Sequence, residues 1–217
     1  MLHAMLGTLR ALPAACRVVT ITGEGSVFCA GFDLTLCEED DRALPAMLNG
    51  LSAVILACRE IPQPVIVAAH GAALAGGCAL LGGADYAIAG KGCAFGYPVL
   101  RIGVSPAVTA PFLLDQMAPG AARDLLLSAE PITSQRALEL DLVHEIVPDG
   151  TSLSARVLEI TNNILTQPPA AVTHTKSWCN QIGNAERSAA NGLSASIALA
   201  GSHEQRTYLS QARRKQQ

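Results

Sequence analysis

The sequence predicts an α/β fold with parallel strand pairing, followed by a helical C-terminal region. Three observations predict it. Short β-branched runs alternate with helical patterns over residues 1–150. Glycine-rich turns directly follow two of the buried strands. From 151 to 217 only helical periodicity remains. With 217 residues, half of them hydrophobic and few aromatic, the chain can build one sizeable core and is not a disordered segment.

Leu2 to Leu12 has helical spacing and ends at Pro13. Val18-Val19-Thr20-Ile21-Thr22 is a short β-branched strand, closed by the turn Gly23-Glu24-Gly25. Phe28 to Asp33 packs small residues into a second turn. Pro45 to Glu60 places Met47, Leu48, Leu51, Val54 and Ile55 on one helical face and stops at Pro62 and Pro64. Val65 to Ala69 is a strand, His70-Gly71 turns the chain, and Leu74 to Gly82 is a Gly/Ala-rich helix. Tyr86 to Ala89 and Cys93 to Phe95 are short strands. Helices follow over Pro111 to Met117, Ala121 to Ser128 and Ser134 to Leu140, the last N-capped by Ser134. After a strand at His144 to Val147, helices cover Leu153 to Leu165, Ala170 to Gln181 and Ser188 to Ser210. Leu193, Ile197 and Leu199 in the last of these need cover from this subunit or a neighbour.

Composition excludes several classes of function. A net charge of −3, with the only basic cluster at Arg213, Arg214 and Lys215, gives no nucleic-acid footprint. The seven cysteines are odd in number, form no C-x-x-C pair and mostly sit in apolar runs, which suits free thiols in a reducing, cytoplasmic setting. The five histidines show no metal-ligand spacing. The apolar stretch Val65 to Ala84 carries His70 and five glycines, and reads as strand, turn and buried helix, not as a membrane span. The start, Met1 to Leu12, has no charged segment and no cleavage site of a secretory signal. Neither a phosphate loop, a G-x-G-x-x-G nor a G-x-S-x-G elbow is present.

Two segments carry candidate chemistry: Val27 to Leu34, and His70 to Cys78. Each follows a strand and sets small residues where the backbone can approach a ligand, with N–H groups free at a turn or helix start. Two such N–H groups converging on one point would make an oxyanion hole, the device for an enolate or a tetrahedral thioester adduct.

Phe28-Cys29-Ala30-Gly31-Phe32-Asp33-Leu34 resembles the F-x-A-G-x-D-[LI] segment of the crotonase (enoyl-CoA hydratase/isomerase) superfamily. Pro64 to Cys78, Ala94 to Val104 and Thr133 to Val147 resemble its next three motifs, in the same order. The resemblance covers about residues 18 to 180. It implies a ββα superhelix, usually a trimer or a dimer of trimers joined through the C-terminal helices. It also implies an acyl-CoA, or sometimes an acyl group on a carrier protein, as ligand, with no tightly bound cofactor, metal, nucleic acid or membrane. By position, the oxyanion N–H groups are those of Phe32 and Gly76. The resemblance also implies that Ala30, Gly31, Asp33, Gly77 and Val99 line the substrate site, with Gly77 letting the helix start closely behind and Asp33 stabilising the first turn through its own backbone bonds. Lys176 contacts a CoA phosphate or is simply solvated.

The sequence also departs from the pattern. Family hydratases carry two glutamates, which here are Ala79 and Val99. Neither exchanges a proton, so neither two-glutamate hydration nor one-glutamate isomerisation is expected. Enzymes of other types, with decarboxylation fitting best, would use Tyr97, Arg101, Ser105, Thr109, His70 or the acidic run Glu38 to Asp41. Each has a bland alternative: Tyr97 in the core, Arg101 paired with a carboxylate, His70 capping a turn, the acidic run solvated. A thioester-binding protein without chemistry, or a hydratase-like protein of polyketide assembly acting on carrier-bound acyl groups, is the other class. Family members carry about thirty further residues, with two strands, before the first helix. The expected organisation is therefore a core over 1–150 lacking those strands, and a trimerising helical region over 151–217.

Overall fold

The computed structural model describes residues 1–214; the end of the terminal basic cluster, Lys215, lies outside the described residues. In chain order the elements are α1 (Leu2–Arg10), β1 (Val19–Thr22), α2 (Leu34–Glu39), α3 (Ala43–Glu60), β2 (Val65–Ala69), β3 (Ala72–Leu74), α4 (Gly76–Ala79) and β4 (Tyr86–Gly90). They continue with β5 (Ala94–Gly96), α5 (Ala110–Gln116), α6 (Pro119–Ser128), β6 (Ile132–Thr133), α7 (Ser134–Glu139) and β7 (Glu145–Val147). The helices α8 (Gly150–Leu165), α9 (Pro169–Ile182), α10 (Ala185–Ile197) and α11 (His203–Arg214) complete the chain.

β1, β2, β4 and β7 form a parallel sheet in that spatial order. Its second strand is buried along its whole length because both faces are covered. Val65, Val67 and Ala69 face the main core with α3, whereas Ile66 and Ala68 face a smaller core with Leu153, Ile160 and Ile164 of α8. That two-sided cover is why Val65 to Ala69 reads as an unbroken apolar run. A smaller sheet, β3–β5–β6, pairs parallel and then antiparallel.

The structure corrects the sequence reading in four places. The helix expected over Leu74 to Gly82 divides into β3, the single turn α4 and a 3-10 turn over Leu80–Gly83. The cap of α7 is Thr133, whose Oγ1 accepts from the Arg136 amide; Ser134 Oγ instead accepts from the Gly92 amide across the fold. The helix expected over Ser188 to Ser210 is two, broken at 198–202 where Gly201 adopts φ +73°. The acidic run, whose bland reading is a solvated loop, is helical in its first half, since Glu38 and Glu39 lie in α2. Leu193 and Ile197 pack on the core, while Leu199 stays 43% exposed. Among the described residues no helix is long and apolar enough to cross a membrane.

Candidate functional site

The two glycine-rich turns lie side by side. Phe28 donates its amide to the His70 carbonyl at 2.8 Å, Cys29 donates to the Ala72 carbonyl at 3.0 Å, and Leu74 donates to the Cys29 carbonyl at 2.9 Å. These bonds make a parallel bridge between Cys29 and Ala73. Phe32 and Gly76 each stand three residues beyond that bridge, so the turns run on in matched register. Gly76 opens α4 and has no acceptor within the helix for its amide. Among the described residues no acceptor is found for the Phe32 amide.

Close contact between the turns demands glycine. A Cβ on Gly31, where φ is +107°, would lie 2.9 Å from the Ala75 Cβ, and one on Gly77 would lie 2.4 Å from the Cys29 carbonyl oxygen. Ala75 holds φ +51° and ψ −117°, a conformation that an L side chain rarely adopts. Its amide donates to the Gly96 carbonyl at 2.8 Å, which anchors the strained residue to β5. Asp33 caps α2, its Oδ1 accepting from the amides of Thr35 and Leu36 at 2.9 and 3.3 Å. The Phe32 ring sits where a Cβ on Gly76 would meet it at 3.2 Å.

Both turns border a cavity of about 320 Å³. Ala30, Phe32, Ala75 and Gly76 form one side, and Leu44, Leu48 and Leu51 of the segment through α3 form another. Ala79 and Val99 are both on its wall, so the places of the two glutamates are apolar. Arg101 is the one charged side chain on the wall among the described residues, and it pairs with Glu130 on the exposed rim. Tyr97 is buried, its hydroxyl sharing a 3.2 Å hydrogen bond with Thr109 Oγ1. Burial, and then the neighbouring Cys78, hold the phenol well above its usual range, so it stays neutral and can only donate or accept a hydrogen bond. Burial pushes the Cys78 thiol up to about 11. Ser105 is also on the wall, but its hydroxyl accepts from the Ala107 amide at 3.3 Å as the cap of a 3-10 turn. The cavity thus supplies N–H donors, hydroxyls and apolar surface, and among the described residues no side chain suited to taking up a proton near neutral pH.

Other candidates lie elsewhere. Lys176 does not border the cavity, and it is buried, which overturns the expectation of a solvated side chain. Its ammonium is buried and bonds the carbonyls of Cys58 and Gln63 at 2.7 and 2.8 Å and the Asp85 carboxylate at 2.8 Å. Burial lowers its affinity for a proton, and Asp85 offsets part of that. His70 Nε2 donates to the Gly25 carbonyl at 3.1 Å and fastens a turn. Asp41 pairs with Arg206 at 2.9 Å. Among the described residues no cluster of His, Cys, Asp or Glu could hold a metal. The wall contributed by α11, through Gln205, Leu209 and Ala212, was not anticipated from the sequence. Those residues recur at helical spacing on one face, which is the one signal in the sequence that could have found it.

The profile of the family described as enoyl-CoA hydratase/isomerase matches residues 1–207. The chain is 33% identical over 165 residues to the enoyl-CoA hydratase EchA19 of Mycobacterium tuberculosis, covering 72% of this chain and 60% of that protein. It is 31% identical over 173 residues to the 2,3-dehydroadipyl-CoA hydratase of Escherichia coli, covering 79% and 67%. The chain thus spans about three fifths to two thirds of the length of these relatives. The crystal structure of an enoyl-CoA hydratase from Mycobacterium avium superposes with a TM-score of 0.85 at 27% identity, covering 99% of this chain and 84% of that one. An enoyl-CoA hydratase from Bacillus halodurans, at 22% identity and a TM-score of 0.87, over 97% and 88%, shares the fold. The expected crotonase-type α/β architecture is therefore the one observed.

Proposed function

The chain belongs to the enoyl-CoA hydratase/isomerase family, and from that premise we propose that it binds an acyl-CoA thioester whose carbonyl oxygen is received by the amides of Phe32 and Gly76. The observation that carries this reading is the Cys29–Ala73 bridge, which brings two turns with free amides to the edge of one apolar cavity. Donors aimed at that oxygen stabilise the enolate more than the ground-state carbonyl, because charge develops there only as the reaction proceeds.

The reaction that fits best is loss of CO2 from a 2-carboxyacyl thioester. The bond from C2 to the carboxylate breaks, its electron pair forms the enolate, and water returns a proton to C2. No protein base is needed. The apolar side chains of Ala79 and Val99 favour release of an uncharged product over retention of a carboxylate beside them. Hydration is disfavoured for the same reason, since neither residue orients water or moves its protons.

A second reading is a thioester-binding protein without turnover, for acyl groups on CoA or on a carrier protein. The same two apolar residues support it. Incubation with malonyl-, methylmalonyl-, enoyl- and hydroxyacyl-CoA, followed by mass spectrometry and thermal shift, separates the readings. Product from the malonyl-type thioesters in D2O, with deuterium at C2, supports decarboxylation; stabilisation without product supports binding alone. Absence of both would sink the thioester assignment. In the C-terminal region Leu158, Trp178 and Ile182 are 60, 62 and 66% exposed, which supports association into a trimer or hexamer, checked by light scattering.

A further inference from the structure

The geometry points to α11, acting through Leu209, as the element that sets the length of acyl chain the cavity admits; this rests on the thioester reading above. α11 is held in place by three separate ties. Ser202 Oγ accepts from the Gln205 amide at 3.1 Å while Gln205 Oε1 accepts from the Gly201 amide at 3.1 Å, a reciprocal cap that fixes the start of the helix. Gly103 has no side chain to keep the helix away: a Cβ there would stand 2.7 Å from the Gln205 Cα. The helix therefore rests directly on the turn that carries Val99. Arg206 pairs with Asp41 at 2.9 Å and joins α11 to the chain just after α2, whose Leu34 and Cys37 are also on the cavity wall. Leu209, 2% exposed, follows on the same face and lines the cavity, with Ala212 one turn beyond.

The space behind this wall is finite. A cavity of about 320 Å³ has room for roughly ten non-hydrogen atoms at about 30 Å³ each. Among the described residues its wall has one guanidinium, at the rim, and is otherwise uncharged and mostly apolar, which suits an uncharged chain beyond the reacting carbons. Each added methylene should tighten binding about fourfold while it finds apolar surface. The gain should stop when the chain meets Leu209.

The test is the affinity of saturated acyl-CoAs from acetyl to dodecanoyl for three proteins, read by titration calorimetry and thermal shift. Leu209→Ala opens the wall, and the best-bound chain should lengthen by about two to three carbons. Ala212→Leu fills space at a half-buried position and should shorten it. Ala212→Leu alone decides the matter if Leu209→Ala does not fold. An unchanged optimum in the variants that fold would overturn the assignment of α11 while leaving the thioester reading intact. Failure of every acyl-CoA to bind the unaltered protein would overturn the thioester reading itself.

Discussion

Cys29 joins Ala73 of β3 in a single parallel bridge, with the Leu74 amide donating to the Cys29 carbonyl and the Cys29 amide donating to that of Ala72. This one pairing sets Phe32 against Gly76, because each turn then advances by the same three residues. The contact leaves no room for side chains at Gly31 and Gly77. Gly77→Ala would force a methyl to 2.4 Å from a carbonyl oxygen and should destabilise by at least about 2 kcal/mol. Gly31→Ala adds strain at φ +107° and should weaken thioester binding more than tenfold where it folds. Gly120→Ala, in a helix with nothing within 4 Å, is the control and should stabilise by about 0.5–1 kcal/mol. Urea unfolding and acyl-CoA titration read all three.

Ala75 sits at φ +51° and ψ −117°, immediately before the Gly76 amide. Ala75→Gly relieves backbone strain of about 1–3 kcal/mol. A more flexible unfolded chain takes back about 0.4–1. The net expectation is a gain of about 1 kcal/mol in unfolding free energy. If the strain also aims the Gly76 N–H, acyl-CoA affinity should fall in the same variant. Stability and affinity moving together would contradict that role.

With Ala79 and Val99 at these places, the described residues give the cavity no proton-transferring side chain. The unaltered protein should therefore not hydrate crotonyl-CoA measurably, and robust turnover would overturn this expectation. Ala79→Glu with Val99→Glu restores the two carboxylates that the family resemblance implies. Hydration should then rise at least tenfold above background, with Tm falling because Ala79 is buried.

Much of this was legible in the sequence because local chemistry dictated it. Val65 to Ala69 read as a buried strand, and Asp33 was expected to stabilise its turn through backbone bonds, which it does by capping α2, a helix the sequence reading did not place. Gly76-Gly77 was also visible, but the path after it was not. Helical composition over Leu74 to Gly82 yielded to the pairing of β3 with β5, a long-range bond that propensity cannot report. The α11 wall was hidden for a similar reason. Gln205, Leu209 and Ala212 share a helical face, yet only the break at Gly201 brings that face back across 98–103.

Burial holds the thiols of Cys58, Cys78 and Cys93 at about 11, 11 and 12, against 9.0 for an exposed thiol. Above pH 9 the unfolded chain loses these protons and the folded chain keeps them. The unfolded state then binds fewer protons, so stability falls as pH rises, by on the order of 1 kcal/mol per thiol at pH 10. Lys176 acts in the opposite sense, because its folded value is lowered. It should offset part of the loss as pH approaches 10.5. Urea midpoints at pH 8 and pH 10 should differ clearly, and Cys58→Ala with Cys93→Ala should flatten the difference.

Lys176 gives the sharpest separation of stability from binding. Its ammonium bonds two carbonyls and the Asp85 carboxylate, and Asp85 also accepts from the Val65 amide at 2.7 Å. Lys176 thereby ties α9 to the end of α3 and the start of β2. Lys176→Met removes the cation and leaves Asp85 and two carbonyls short of a donor. The expected cost is about 3–5 kcal/mol, the usual penalty for stranding one partner of a buried pair. Since Lys176 does not border the cavity, acyl-CoA affinity measured below the unfolding transition should stay within about twofold. Lys176→Arg keeps the charge but not the compact geometry and should recover only part of the stability. A large loss of CoA-thioester affinity in a folded Lys176→Met protein, with affinity for the free acyl chain unchanged, would instead return this lysine to a phosphate-binding role.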